Sequence, residues 1–237
     1  MVIAIIAILA ALLLPALEVS KFSVEVANCT SNYRQWGVAA NLYAMDYQNK
    51  LPAYTIGDRT GCNPTDVSTN MPAGLQPYGL TVAMWFCPVR PGEFAYANIY
   101  CLQTLGHGLV TIADLTDYYA RSFGSFALIN HNWWVPHLNG GKLVPDPSSG
   151  FGEARLPNGW PEKTTDPCAN VGPIISDFCE SASEGFVQTN VNNVANGAHF
   201  FNKRLINLNT TYADGHTVSV PKLRIRWQYY GNHTSFY

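Results

Sequence analysis

Charge is what this chain has least of. Only 13% of its 237 residues are Asp, Glu, Lys or Arg, about half the usual share. None of them falls in the first seventeen positions, MVIAIIAILAALLLPAL. A net charge of −2 without a concentrated basic face gives no electrostatic case for nucleic acid as a partner. The basic residues that do cluster are Lys203 with Arg204 and the alternating Lys222, Arg224 and Arg226, which suit the solvated face of a strand. Tight Cys-x-x-Cys pairs are also missing among Cys29, Cys62, Cys87, Cys101, Cys168 and Cys179, which argues against a zinc ribbon or thioredoxin-type site. There is no HExxH, GxSxG or phosphate-binding loop. His107, His131, His137, His199, His216 and His233 are scattered, and Asp146, Asp166 and Asp177 are isolated. Hence no catalytic residue and no metal ligand is assigned; calcium, which loop carboxylates can hold, is possible but unsupported.

The uncharged N-terminal run is what the chain does have. It holds one proline, Pro15, and passes into polar sequence without a loop signal. A membrane span needs roughly 20 apolar residues, and this run falls slightly short. A secretory signal would fit its length, but nothing basic precedes Lys21, and a small-residue cleavage site at 24–27 lies far from the apolar segment. A buried core helix is the third alternative.

Residues 21–48 have helical periodicity. Phe22, Val26, Cys29, Tyr33, Trp36, Ala40, Tyr43 and Tyr47 recur at steps of four and three, forming one stripe. A coiled coil would show the same alternation, but Tyr, Trp and Ala suit packing on a sheet better than a zipper seam. Leu51-Pro52 ends the pattern. Joined to the apolar run, this makes a helix of about 48 residues, roughly 70 Å long. The expected organisation is therefore residues 1–48 as helix (1–17 the membrane or assembly half, 18–48 the amphipathic half) and 49–237 as a globular head.

Beyond Pro52, glycine, proline and aromatics dominate. Residues 53–80 are expected to be loop, 81–86 a strand, 111–121 a short helix or turn, and 122–134 a strand. Residues 138–172 look like a long surface excursion, and Pro173–Asp177 like a short buried strand. Residues 198–201, 205–212 and 216–220 suit antiparallel strands, with Asp214-Gly215 as the hairpin turn between the last two. The economical picture is one α+β domain on one long helix.

Six cysteines and a targeted N-terminus suggest an oxidising compartment and disulfides. Six cysteines allow 15 connectivities. Cys168 and Cys179, flanking a short turn-rich stretch, make the best local pair.

Four patches together resemble a known family. MVIAIIAILAALLLPAL is similar to the membrane half of a type IV pilin helix. The stretch from Asn28-Cys29 through Gln35-Trp36-Gly37 to Tyr43, Asp46 and Leu51-Pro52 resembles the first cysteine motif of bacterial pseudopilin-like proteins. Phe86-Cys87-Pro88 resembles their second, and Asn209-Thr210-Thr211-Tyr212-Ala213-Asp214-Gly215-His216 their C-terminal hairpin motif. The family is that of prepilin-type N-terminal cleavage/methylation proteins with an H-X9-DG C-terminal domain, which include type II secretion pseudopilins. Its leader, cleavage-site glycine and early glutamate are not in this sequence, so Met1 would match a point inside the mature helix. Arg204 stands where the family has its histidine.

The resemblance implies a pilin-like α+β fold: a long N-terminal helix packed on the antiparallel sheet of a loop-rich, disulfide-stapled head. It implies a Cys29–Cys87 bridge between helix and sheet, leaving Cys62 to pair with Cys101. The implied function is a non-enzymatic structural subunit of a pilus-like filament or pseudopilus, without a cofactor. Ile3, Ile6, Leu9, Leu13, Pro15 and Leu17 would form the assembly helix, and Phe22, Val26, Tyr33, Trp36, Tyr43 and Tyr47 the helix–sheet stripe. Its partners would be copies of itself in a helical filament, and before that the bacterial inner membrane. Its location would then be the cell surface, periplasm or an extracellular filament. The competing expectation is a membrane-tethered or secreted carbohydrate-binding module that stacks sugars on exposed Trp133, Trp134 and Trp160.

Overall fold

The computed structural model describes residues 2–57, 63–123, 126–146, 159–181 and 186–237. Helix α1 is a single element, Val2–Asp46, with Pro15 inside it. Strand β1 (Asp66–Ser68) and the helices α2 (Met71–Leu75), α3 (Pro91–Thr104) and α4 (Ile112–Phe123) follow. Then come β2 (Phe126–Leu128), β3 (His131–Trp133), β4 (His137–Asn139), β5 (Lys142–Val144), β6 (Pro173–Asp177) and β7 (Cys179–Ser181). The chain ends with β8 (Val194–Gly197), β9 (His199–Phe201), β10 (Arg204–Tyr212), β11 (Thr217–Pro221), β12 (Trp227–Tyr230) and β13 (Thr234–Phe236).

The protein is α+β, but the expected single sheet is replaced by several antiparallel ones among the described residues. A five-stranded sheet runs β11-β10-β6-β3 with β9 also on β10; a four-stranded sheet runs β12-β13-β7-β8; β1-β2 and β4-β5 are pairs. The Asp-Gly turn closes the β10–β11 hairpin, with Gly215 at φ 88° and the His216 N–H donating to Asp214 Oδ1 at 3.0 Å. That is ordinary turn chemistry. Strand β6 is buried at every position. Residues 82–85 form a 3-10 turn rather than a strand, and 122–134 is split between the end of α4 and the short strands β2 and β3.

Helix α1 lies on β6, β10 and β11. Tyr33 and Trp36 are fully buried there, with Cys29, Ala39, Ala40 and Ala44. The Trp36 indole donates to Met84 O at 2.9 Å and meets Trp85 edge-on, with ring centroids 4.6 Å apart. Thr211 Oγ1 donates to Tyr33 O at 3.0 Å. Gly37 permits this approach: a Cβ there would stand 2.9 Å from Thr211 Cγ2. The rest of the stripe is less covered. Phe22, Val26 and Tyr43 are half-buried, and Tyr47 lies past the helix end, 49% exposed and stacked on Tyr43.

Three expectations are overturned. First, no disulfide joins Cys29, Cys87, Cys101, Cys168 or Cys179; Cys62 lies outside the described residues. The Cys29 and Cys87 sulfurs are 3.3 Å apart, against about 2.05 Å for a bond. Cys168 and Cys179 are close in sequence, but β6 runs between them, and five extended residues span about 16 Å. Second, among the described residues no helix is long and apolar enough to cross a membrane. The described apolar run soon meets Glu18, Ser20 and Lys21. The expectation of a transmembrane, disulfide-bonded pilin therefore lacks support. Third, the tryptophans offered for sugar stacking are packed away: Trp133 and Trp134 are 1% and 0% exposed, and Trp160 is 9% exposed. Trp160 stacks on Trp134 with centroids 5.3 Å apart. These three rings leave no open face for a glycan.

Candidate functional site

Two regions carry chemistry or unusual surface. The first is a buried polar cluster under α1. Cys29 comes from the helix and Cys87 from the turn before α3. Asp177 is the last residue of β6 and His199 the first of β9. Their ligand atoms all lie within 4.8 Å of one another, and all four residues are buried. Cys29 Sγ is 3.3 Å from Cys87 Sγ and 3.7 Å from Asp177 Oδ1.

The sheet sets this convergence. His199 faces Asn207 across the β9–β10 register, and Asp177 faces His131 across β3–β6. Gly197 lets the chain turn into β9: its φ is 88°, and a Cβ would collide with Phe178 O. Asp177 Oδ2 accepts the Asn209 N–H at 2.6 Å. Arg90 stands 3.5 Å from Asp177 Oδ1. Its guanidinium also donates to Glu93 at 2.6 Å, to Ala198 O at 3.0 Å and to Asn130 O at 3.1 Å.

These neighbours set the protonation of the cluster. Burial pushes the Cys87 thiol up, but the Cys29 hydrogen bond, Arg90 and His199 outweigh it and bring it to about 5. The bond to Cys87, then burial, drives Cys29 well up. Burial opposes the charged form of His199, yet Asp177 and Cys87 raise it to about 9. Burial likewise opposes ionised Asp177, while His199, Arg90 and the Asn209 N–H hold its carboxyl below the ordinary value. The cluster can therefore hold separated charge in the interior, or a cation. Nucleophilic chemistry would require substrate to reach Cys87, which is 1% exposed. A surface pocket of about 470 Å³, lined in part by Arg90, Glu93, Phe178 and Ala198, lies beside it.

The sequence singled out Cys29 and Cys87 as a pair but left Asp177 and His199 isolated. Asp177 and Cys29 are 148 residues apart, so no spacing motif could have joined them. The one local signal was a carboxylate ending the apolar run Pro-Ile-Ile-Ser-Asp. Arg90 carried no signal. Of the family-like hairpin residues, only Asn209 touches the cluster, through its backbone. Asp214, Gly215 and His216 form the turn, and His216 stacks on Tyr212.

The second region is the N-terminal part of α1. Ile3, Ile6, Leu9, Leu12, Leu13, Leu14, Leu17 and Val19 are all more than half exposed. Pro15 is exposed beside them.

Comparison with protein-family models, curated proteins and solved structures returns no match. The resemblance drawn from the sequence therefore gains no support from them.

Proposed function

We propose that this chain is a structural subunit that assembles with copies of itself through the N-terminal half of α1. The observation that carries this reading is the exposed apolar helix between Ile3 and Val19. Its large side chains cover more than half of the helix circumference at 3.6 residues per turn. Ala11 and Pro15 occupy the remaining side, so no face is polar before Glu18. A helix that is apolar all round is stable only when covered all round.

A single groove on a partner would cover one face. Equivalent helices from several copies cover every face, and each copy brings the same unmet surface. Fully burying one Leu or Ile contributes roughly 1.5–3 kcal/mol, so a handful of these residues offsets an association cost of about 4–15 kcal/mol. In this role the head is the outward-facing part, and the chain contributes structure rather than catalysis.

The test is L13D/L17D in the full chain, compared with wild type by analytical ultracentrifugation and electron microscopy. Wild type should form large or extended assemblies, and the double variant should remain monomeric with a folded head. Wild type that stays monomeric at high concentration, or a variant that assembles like wild type, would refute the proposal.

A further inference from the structure

We propose that Cys29, Cys87, Asp177 and His199 bind one zinc ion that clamps helix α1 to the sheets of the head. This rests on the cluster alone and is independent of how copies assemble.

The hydrogen-bond chain behind His199 fixes its tautomer. Asn207 Nδ2 donates to Ser219 Oγ at 2.9 Å, so Asn207 Oδ1 is turned toward His199 Nδ1, 2.7 Å away. Nδ1 is then the donor. Nε2 points into the cluster, fully buried, with Cys87 and Asp177 as its neighbours. It stands 3.2 Å from Asp177 Oδ2, an acceptor that already takes the Asn209 N–H. Two acceptors at that distance need a cation between them, either a proton or a metal ion.

Two features favour the metal. The first is the donor set. Two thiols, an imidazole and a carboxylate make a four-donor S2NO group, suited to zinc. A zinc ligand histidine characteristically donates its other ring N–H to a fixed partner, as Asn207 provides.

The second is size. With Zn–S about 2.3 Å and Zn–N or Zn–O about 2.0–2.2 Å, the edges of a tetrahedral site measure roughly 3.3–3.8 Å. The S···O and N···O separations of 3.7 and 3.2 Å lie at or near that range. The S···S separation of 3.3 Å would open by about 0.5 Å to reach its edge of about 3.8 Å, and all four ligand atoms lie within 4.8 Å of one another. On binding, any proton still held by the two sulfurs or the imidazole is released to solvent. Two thiolates and a carboxylate then exceed the zinc charge by one, and Arg90 beside Asp177 offsets the excess.

The ligands come from α1, the turn before α3, β6 and β9. One ion would therefore tie together elements that no disulfide joins.

The experiment uses the full chain. Elemental analysis of protein purified without chelator should give one zinc per chain. Protein stripped with a chelator should take up one equivalent of cobalt(II) and develop thiolate-to-cobalt charge-transfer bands. X-ray absorption of the zinc form should show sulfur at about 2.3 Å together with lighter ligands at about 2.0–2.2 Å. Cys87→Ser and His199→Gln should lose the ion. Cys179→Ser removes a buried thiol outside the cluster and should keep it. If the cluster variants do not fold, the wild-type absorption spectrum decides alone. Wild type that takes up no stoichiometric metal, a metal shell without sulfur, or full zinc retention in folded Cys87→Ser and His199→Gln would overturn the proposal.

Discussion

Residues 22–46 of α1 bury Cys29, Tyr33, Trp36, Ala39, Ala40 and Ala44 against the head, whereas residues 3–19 leave Ile3, Ile6, Leu9, Leu12, Leu13, Leu14, Leu17 and Val19 in the open. The backbone is the same helix throughout. The difference lies in the distribution of polarity. Between 22 and 46, polar side chains such as Ser31, Arg34 and Gln35 share the outward face with Val24, Val38 and Met45, while the opposite apolar side is covered by the chain's own head. Between 3 and 17 there is no polar face to turn outward. What a helix can pack against is thus written in whether its apolar residues form a stripe or a sleeve.

The comparison can be broken most forcefully at Trp36. It is buried, bonded to Met84 O and packed on Trp85. Trp36→Ala should lower unfolding free energy in urea by about 3–5 kcal/mol, and a loss below 1 kcal/mol would mean that the head does not depend on this half of the helix.

A second effect separates the halves by pH. Glu180, buried in β7 with Ser235 Oγ donating at 3.0 Å, has its carboxyl pushed by burial from 4.5 up to about 8. Below about pH 4.5 it is protonated in both the folded and the unfolded chain, and its favourable contribution is whole. Between about 4.5 and 8 only the unfolded chain ionises, so head stability should fall as pH rises, and the loss is complete above about 8. Glu180→Gln should flatten that slope. Association through residues 3–17, which contain no ionisable side chain, should not follow it.

The smallest effect belongs to Leu13→Ala. In dilute, unassembled protein it should change stability by no more than about 0.5 kcal/mol. A loss as large as that of Trp36→Ala would show that the exposed half packs on its own head.

How much of this the sequence carried depends on the range of the interactions. Tyr33 and Trp36 were legible because a helix face repeats every few residues. Pro173–Asp177 was legible as a bounded apolar run, and the β10–β11 hairpin through Asp-Gly. Helix α3 was missed because it buries only Ala97 and Cys101 and carries little periodic signal. The four-stranded sheet was missed because β7, β8, β12 and β13 are each three or four residues long, too short for alternation to show. Cys29 and Cys87 were seen as partners, but the reading of a disulfide rested on family likeness. Their actual neighbours, Arg90, Asp177 and His199, come together only when β6, β9 and the turn before α3 meet under the helix.

Hydrogen exchange along α1, read at high and low protein concentration, tests most directly whether one helix is covered by two different partners. Amides of residues 22–46 should stay protected at both concentrations, because the head covers them. Amides of residues 3–19 should be protected at high concentration and become exchangeable on dilution, as copies separate. Equal protection of both halves at every concentration, or an unprotected N-terminal half in concentrated protein, would contradict the account.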